Sequence, residues 1–183
     1  MCKTGAEHIA SLRDGRAVYV DGERVADVTM HPAFRNAVAS AAALYEFQSR
    51  PENLERMTFA PSGSKRRTNR SWQLPTSYEE LVQRRQALVA WAELSGGFVG
   101  RSPDHVASSL LGQVIGIGIF RRHGEARAKA LLDYFDYARR NDLFVTYVII
   151  NPQADRSKAW GEQDGELVAQ LVDEDSGGVT VRG

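Results

Sequence analysis

The sequence predicts an α+β protein: a mostly helical N-terminal domain with one small hairpin, followed by the first strands of a β-domain. Three observations predict it. Helix-start signals at residues 4, 32, 76 and 102 each precede apolar residues at helical spacing. An Asp-Gly pair at 21–22 interrupts two β-rich runs. After Asn141-Asp142 the pattern turns into a continuous apolar, β-branched stretch. The 43% hydrophobic content of this 183-residue chain is ample for one core.

In order along the chain, "TGAE" at 4–7 is a capping box. Thr4 accepts from the N3 amide and Glu7 reaches back, so a short helix runs to about Arg13 and stops at Gly15. "AVYVDGERVADV" reads as a hairpin whose Asp21-Gly22 turn supplies the two positive-φ positions of a type I′ connection. "HPAFRNAVASAAALYEFQSR" opens with Pro32 near N1 and puts Phe34, Val38, Ala41, Ala42 and Tyr45 on one stripe. "SGSKRRTNRS", 62–71, reads as a solvated connector, although its basic cluster also suits phosphates.

The box "TSYE", 76–79, starts a helix that turns Leu81, Leu88, Val89 and Ala92 inward and ends at Gly96-Gly97. Ser102 as N-cap and Pro103 at N1 start the next one, with Val106, Leu110, Val114 and Ile117 on one face and Leu111, Ile115 and Ile119 on others. Apolar residues nearly all round predict a buried central helix, and its glycines at 112, 116 and 118 predict close approach of another backbone. "GIGIFR" completes no dinucleotide fingerprint. A last helix, about Glu125 to Arg140, aligns Leu131, Tyr134, Phe135 and Ala138. The domain boundary falls near 142. Beyond it, "LFVTYVIINP" reads as a buried strand and "ELVAQLVDEDSGGVTVRG" as two strands around a glycine turn. So few strands leave edges uncovered, so the chain is expected to be the front of a longer protein or to need a partner.

Charge and cysteine usage narrow the function. Balanced charge, 23 basic against 23 acidic residues, gives no net field toward nucleic acid or membrane. One cysteine, Cys2, forbids an internal disulfide, and with neither a signal peptide nor an apolar span in the sequence the expected compartment is the cytoplasm. Histidines at 8, 31, 105 and 123 lack metal-site spacing, so no metal is expected.

The most informative segment is "GRSPDHVASSLL", 100–111. A helix N-terminus offers free amides and partial positive charge to an anion. Arg101 sits at that point, and His105 at N3 is expected to stay neutral there, able to accept as well as donate. Together they suit a phenol, whose phenolate a guanidinium and helix amides stabilise. The same residues also suit an ion pair of Arg101 with Asp104 or another carboxylate, with His105 an ordinary first-turn residue. In "TYVIINPQADRSK", 146–158, a strand breaks at Asn151-Pro152 into a turn whose Gln153, Asp155 and Arg156 suit a polar cofactor or simply a structural loop.

"TGAEHIASLRDGRAVYVDGERVADVTMHPAFRNA", "GRSPDHVASSLL" and "INPQADRSK", in this order, resemble the N-terminal part of the oxygenase component of the 4-hydroxyphenylacetate 3-monooxygenase family, over essentially the whole chain. The resemblance implies a fold like the acyl-CoA dehydrogenases: an N-terminal helical domain (1–142), a middle β-domain of which 143–183 is the truncated start, and a C-terminal helical bundle. The bundle carries part of the flavin site and much of a homotetramer interface, so the chain alone is expected to bind FAD poorly and to be inactive. The implied reaction uses reduced FAD from a separate flavin reductase, and dioxygen, to hydroxylate an aromatic ring ortho to its phenolic hydroxyl. Arg101 stands where the family contacts the phenolic oxygen. His105 replaces a common tyrosine, and Tyr147 replaces a common histidine that touches substrate and flavin. Tyr147, Ile149, Gln153, Asp155 and Arg156 fall on the flavin-binding segment. Two other readings remain. A 4-hydroxybutyryl-CoA dehydratase-like flavoprotein needs cysteine ligands for an iron–sulfur cluster, and a non-catalytic helical module would bind a protein or nucleic acid through "SKRRTNR".

Overall fold

The computed structural model describes residues 1–98, 103–147, 155–159, 162–163 and 169–182. It comprises two units, Met1–Thr146 and Tyr147–Gly183. The first is helix-rich with small hairpins. Helix α1 (Gly5–Ser11) starts at the expected box, with Thr4 Oγ1 accepting from the Glu7 amide at 3.1 Å and Glu7 accepting from the Thr4 amide at 2.8 Å. Strands β1 (Tyr19–Val20) and β2 (Glu23–Arg24) pair antiparallel across Asp21 and Gly22, whose φ values of 52° and 83° are those of a type I′ turn.

Helix α2 (Arg35–Ser49) begins three residues after Pro32, which lies in a preceding turn, and its N-cap Phe34 makes no side-chain cap. Ala42, Leu44, Tyr45 and Gln48 are its buried face, while Phe34, Val38 and Ala41 are only half-buried. A short helix α3 (Leu54–Met57) leads into β3 (Thr58–Phe59), which pairs with β4 (Thr68–Asn69). A 3-10 turn at Arg70–Trp72 follows.

The expected solvated connector is therefore half core. Thr68 to Gln73 are buried, and Trp72 is among the largest fully buried side chains. The basic side chains are spent internally: Arg70 donates to the carbonyls of Glu55 and Arg56 at the end of α3, Arg67 bonds Thr58 and Glu55, and Arg66 pairs with Glu7 at 2.8 Å. A helix C-terminus leaves such carbonyls unpaired, and a guanidinium satisfies several at once. The basic cluster thus closes the fold rather than presenting a phosphate-binding face.

Helix α4 (Tyr78–Leu94) is capped by Ser77, one residue later than the sequence suggested, and Glu80 reaches back to Thr76. Its inward face is Ala87, Ala90 and Trp91, with Leu88 half-buried. Leu81 and Val89 are exposed, Leu81 by 51%, so the expected stripe is rotated. Helix α5 (Pro103–Ile115) breaks at Gly116 into α6 (Ile117–Arg121), followed by α7 (Glu125–Arg140). The buried central helix is not what forms. Among its described side chains only Ala107 and Leu111 are buried, whereas Ile115 and Ile119 are 66% and 63% exposed. Among the described residues no backbone from outside these helices approaches Gly112, Gly116 or Gly118, and Gly116 is where the helix breaks.

Two apolar clusters hold the unit together. Leu44, Met57, Ala87, Ala90 and Trp91 form one; Trp72, Ala107, Leu111, Phe135 and Ala138 form the other. Among the described residues, 143–147 carry no strand assignment where a strand was expected. Leu143 and Val145 pack on the second cluster and Phe144 on the first. The rest of that expected strand, 148–150, lies outside the described residues. In the second unit, β5 (Gln170–Asp175) and β6 (Gly178–Arg182) form the expected antiparallel pair, with Gly178 at φ 146° and Asp175 accepting from the Gly177 and Gly178 amides. No described helix is long and apolar enough to cross a membrane.

Candidate active site

The site is built from the first turns of α5 upward. Ala107 and Leu111 turn one face of this helix onto Trp72 and Phe135, whose rings meet edge-on at 5.9 Å. The opposite face carries His105, which is exposed among the described residues. The Ser109 hydroxyl donates to the His105 carbonyl at 3.0 Å. Arg101 lies outside the described residues, as does the expected cap Ser102.

A polar anchor that sequence reasoning missed fixes this helix from below. Arg84 on α4 donates to the Ser108 hydroxyl at 2.6 Å and to the Ser71 carbonyl at 3.1 Å, tying α5 to the 3-10 turn. Burial pulls the Arg84 guanidinium below its usual pKa, and Asp104 opposes the shift. Its Nε is buried without a hydrogen-bond partner among the described residues. The available signal was Trp72, an aromatic residue set in a polar loop next to Ser71.

In the second unit, Tyr147 is 39% exposed. Ile149 and Gln153 lie outside the described residues. Asp155 and Arg156 open a tight turn: the Asp155 carboxylate accepts from the Ser157 amide at 2.9 Å and the Ser157 hydroxyl at 2.6 Å, and pairs with Lys158 at 3.5 Å. The Ser157 bonds hold the Asp155 carboxyl below the usual carboxylate range. Gln163 clamps the turn by donating to the Lys158 carbonyl and accepting from the Asp155 amide. The Arg156 side chain is exposed. The turn therefore offers one guanidinium and one ammonium around an internally satisfied carboxylate, a donor set that fits a phosphate-bearing cofactor.

Residues 4–183 match the family description "4-hydroxyphenylacetate 3-hydroxylase N terminal". The chain belongs to the 4-hydroxyphenylacetate 3-hydroxylase family. Within this family it is 37% identical over 183 residues to the 4-hydroxyphenylacetate 3-monooxygenase oxygenase component of Geobacillus sp., covering 99% of this chain and 37% of that one. It is 38% identical over 182 residues to the oxygenase component of 4-nitrophenol 2-monooxygenase of Rhodococcus sp., covering 98% and 34%. Among solved structures, the oxygenase component HpaB complexed with FAD and 4-hydroxyphenylacetate superposes with a TM-score of 0.85 at 34% identity, over 100% of this chain and 37% of that one. An archaeal 4-hydroxybutyryl-CoA dehydratase from N. maritimus gives 0.73 at 26% identity, over 99% and 36%. The chain thus spans little more than a third of the length of these proteins.

Proposed function

We propose that the protein carrying this chain is the oxygenase component of a two-component, FAD-dependent monooxygenase that hydroxylates a phenolic ring ortho to its hydroxyl. The observation that carries the reading is the likeness over the whole chain to an oxygenase that holds both FAD and a phenol. In this reading the fold is acyl-CoA dehydrogenase-like and incomplete, residues 1–142 being its helical domain and 143–183 the start of its β-domain. The partners are a flavin reductase, dioxygen and an aromatic substrate, in a homotetramer of whole chains.

Each site residue then has a task. Arg101, with the partial positive charge at the start of α5, stabilises negative charge on the phenolic oxygen and so raises the electron density of the ring. His105, on the open face of α5, hydrogen-bonds that oxygen or orients the ring. Arg84 and Trp72 position that helical turn from the opposite side. Tyr147 contributes a hydroxyl toward substrate and flavin. Ile149 lends apolar contact, and Gln153, Asp155 and Arg156 hold the flavin, with Arg156 suited to its phosphates. Reduced FAD, when bound, supplies the activation of dioxygen. The dehydratase reading would require thiolate ligands, of which this chain has one, the buried Cys2.

The test is turnover of the whole protein with a flavin reductase, FAD and 4-hydroxyphenylacetate. The expected result is dioxygen-dependent formation of the catechol. Arg101→Ala is expected to keep oxidising flavin while losing product by about a hundredfold, the usual cost of one oxyanion-stabilising donor. Full coupling in that variant would remove Arg101 from the site, and no catechol from any phenol would remove the proposed reaction.

A further inference from the structure

We infer that Arg84 acts on the bound phenol through Asp104, compensating this carboxylate from beneath α5 so that the helix start can hold a phenolate. The inference rests on the proposed reading that the phenol binds there. A carboxylate in the first turn of a helix uses up the partial positive charge that the helix end would otherwise offer to an anion. Asp104 is the acidic residue of that turn and directly precedes His105, so it would repel a phenolate oxygen held beside it. The structure brings a guanidinium to the same place. Arg84 comes from α4, and its Nη2 donates to the Ser108 hydroxyl at 2.6 Å and to the Ser71 carbonyl at 3.1 Å. Ser108 lies one helical turn after Asp104, so the two share a face of α5 and the guanidinium held on Ser108 stands next to the carboxylate. Burial lowers the Arg84 pKa and the Asp104 charge opposes that, as two groups within electrostatic reach of each other do.

Charged groups on the other elements packed against α5 are engaged elsewhere. In the 3-10 turn, Arg70 bonds the Glu55 and Arg56 carbonyls and the Gln73 side chain. On α7, Arg139 pairs with Asp136 at 2.6 Å. A tie between α4 and α5 does not by itself need a charge, since the Ser71 carbonyl and the Ser108 hydroxyl are neutral acceptors. A neutral donor would make the same bonds at a smaller desolvation cost. The arginine even leaves its Nε buried without a hydrogen-bond partner among the described residues. What it adds to the tie is a full positive charge, delivered on the face of α5 that carries Asp104.

The test is the ionisation of 4-nitrophenol bound to the whole protein with reduced FAD, read from visible absorbance, in the wild type, Arg84→Gln, Asp104→Asn and the double variant. Glutamine keeps a donor for Ser71 and Ser108 but not the charge. Arg84→Gln is expected to weaken nitrophenolate binding about tenfold, seen as a bound pKa higher by about one. Adding Asp104→Asn should bring it back, whereas loss of a purely structural anchor is not repaired by removing a second group. Arg84→Lys should stay near the wild type. An unchanged pKa in Arg84→Gln, or no recovery in the double variant, would overturn the inference while leaving the phenol site standing. A wild type that binds the phenol without shifting its ionisation would remove that site, and this inference with it. Should Arg84→Gln not fold, Asp104→Asn decides alone: the guanidinium released from its carboxylate is expected to lower the bound pKa further, and no change would overturn the pairing.

Discussion

Asp142 stands at φ 47° just past the end of α7, in the left-handed region that glycine usually fills. Its carbonyl accepts from the Tyr45 hydroxyl at 2.8 Å, and its carboxylate accepts from Gln48 Nε2 at 2.7 Å and the Asn69 amide at 3.2 Å. One residue thus joins α2, the Thr68–Trp72 segment and the end of α7. Burial pushes its carboxyl above the ordinary aspartate range. His8, stacked on the same Tyr45, shifts the other way: burial and the nearby Lys3 ammonium lower its pKa from 6.5 to about 4. Between these two values the unfolded chain binds more protons than the folded one, so stability falls as pH drops from 6.5 toward 4. For a side chain this buried the loss is on the order of 3 kcal/mol. The raised Asp142 works against it, so the difference between wild type and His8→Phe isolates the histidine. Denaturant unfolding at several pH values is expected to show the wild type losing ground to His8→Phe as acid is added; parallel curves would contradict the assignment.

At the scale of elements, local signals were legible wherever they are self-contained. The Thr4 capping box and the Asp21-Gly22 turn form as read, because each is satisfied within a few residues. Faces were misread where packing partners decide them. Leu81 and Val89 were expected inside α4, yet the core takes Ala87, Ala90 and Trp91, because α3 and α2 come close enough to admit only small residues beside one large ring. Close approach was placed at Gly112, Gly116 and Gly118, and the structure has it at Gly5 instead. A Cβ there would lie 2.6 Å from the Ala42 carbonyl oxygen. Gly5→Ala is therefore expected to push α1 off α2 and cost about 1–3 kcal/mol. A matching Gly118→Ala, in open space, should be neutral or stabilising. Thermal unfolding of the two variants checks this, and equal midpoints would refute the close-packed α1–α2 contact.

For the whole molecule, order and family were carried by short motifs, whereas burial depends on contacts between segments far apart in the chain. "SGSKRRTNRS" looked solvated by composition, but Arg70 and Asn69 are buried because Glu55, Arg56 and Gln48 supply their partners from 14 to 21 residues away. The open face of α5 was read as buried for the converse reason. Its apolar residues are real, but among the described residues Ile115 and the following Ile119 stay exposed. His105, proposed as a site residue, stands in the first turn of α5 and is exposed. The central claim is that this helix start lowers the pKa of a bound phenol. It is tested most directly by titrating 4-nitrophenol in the whole protein with reduced FAD and reading its ionisation from visible absorbance. The expected result is a bound pKa at least about one unit below that of the free phenol, returning toward the free value in Arg101→Met. A bound phenol that ionises as it does in water, with or without Arg101, would contradict the account.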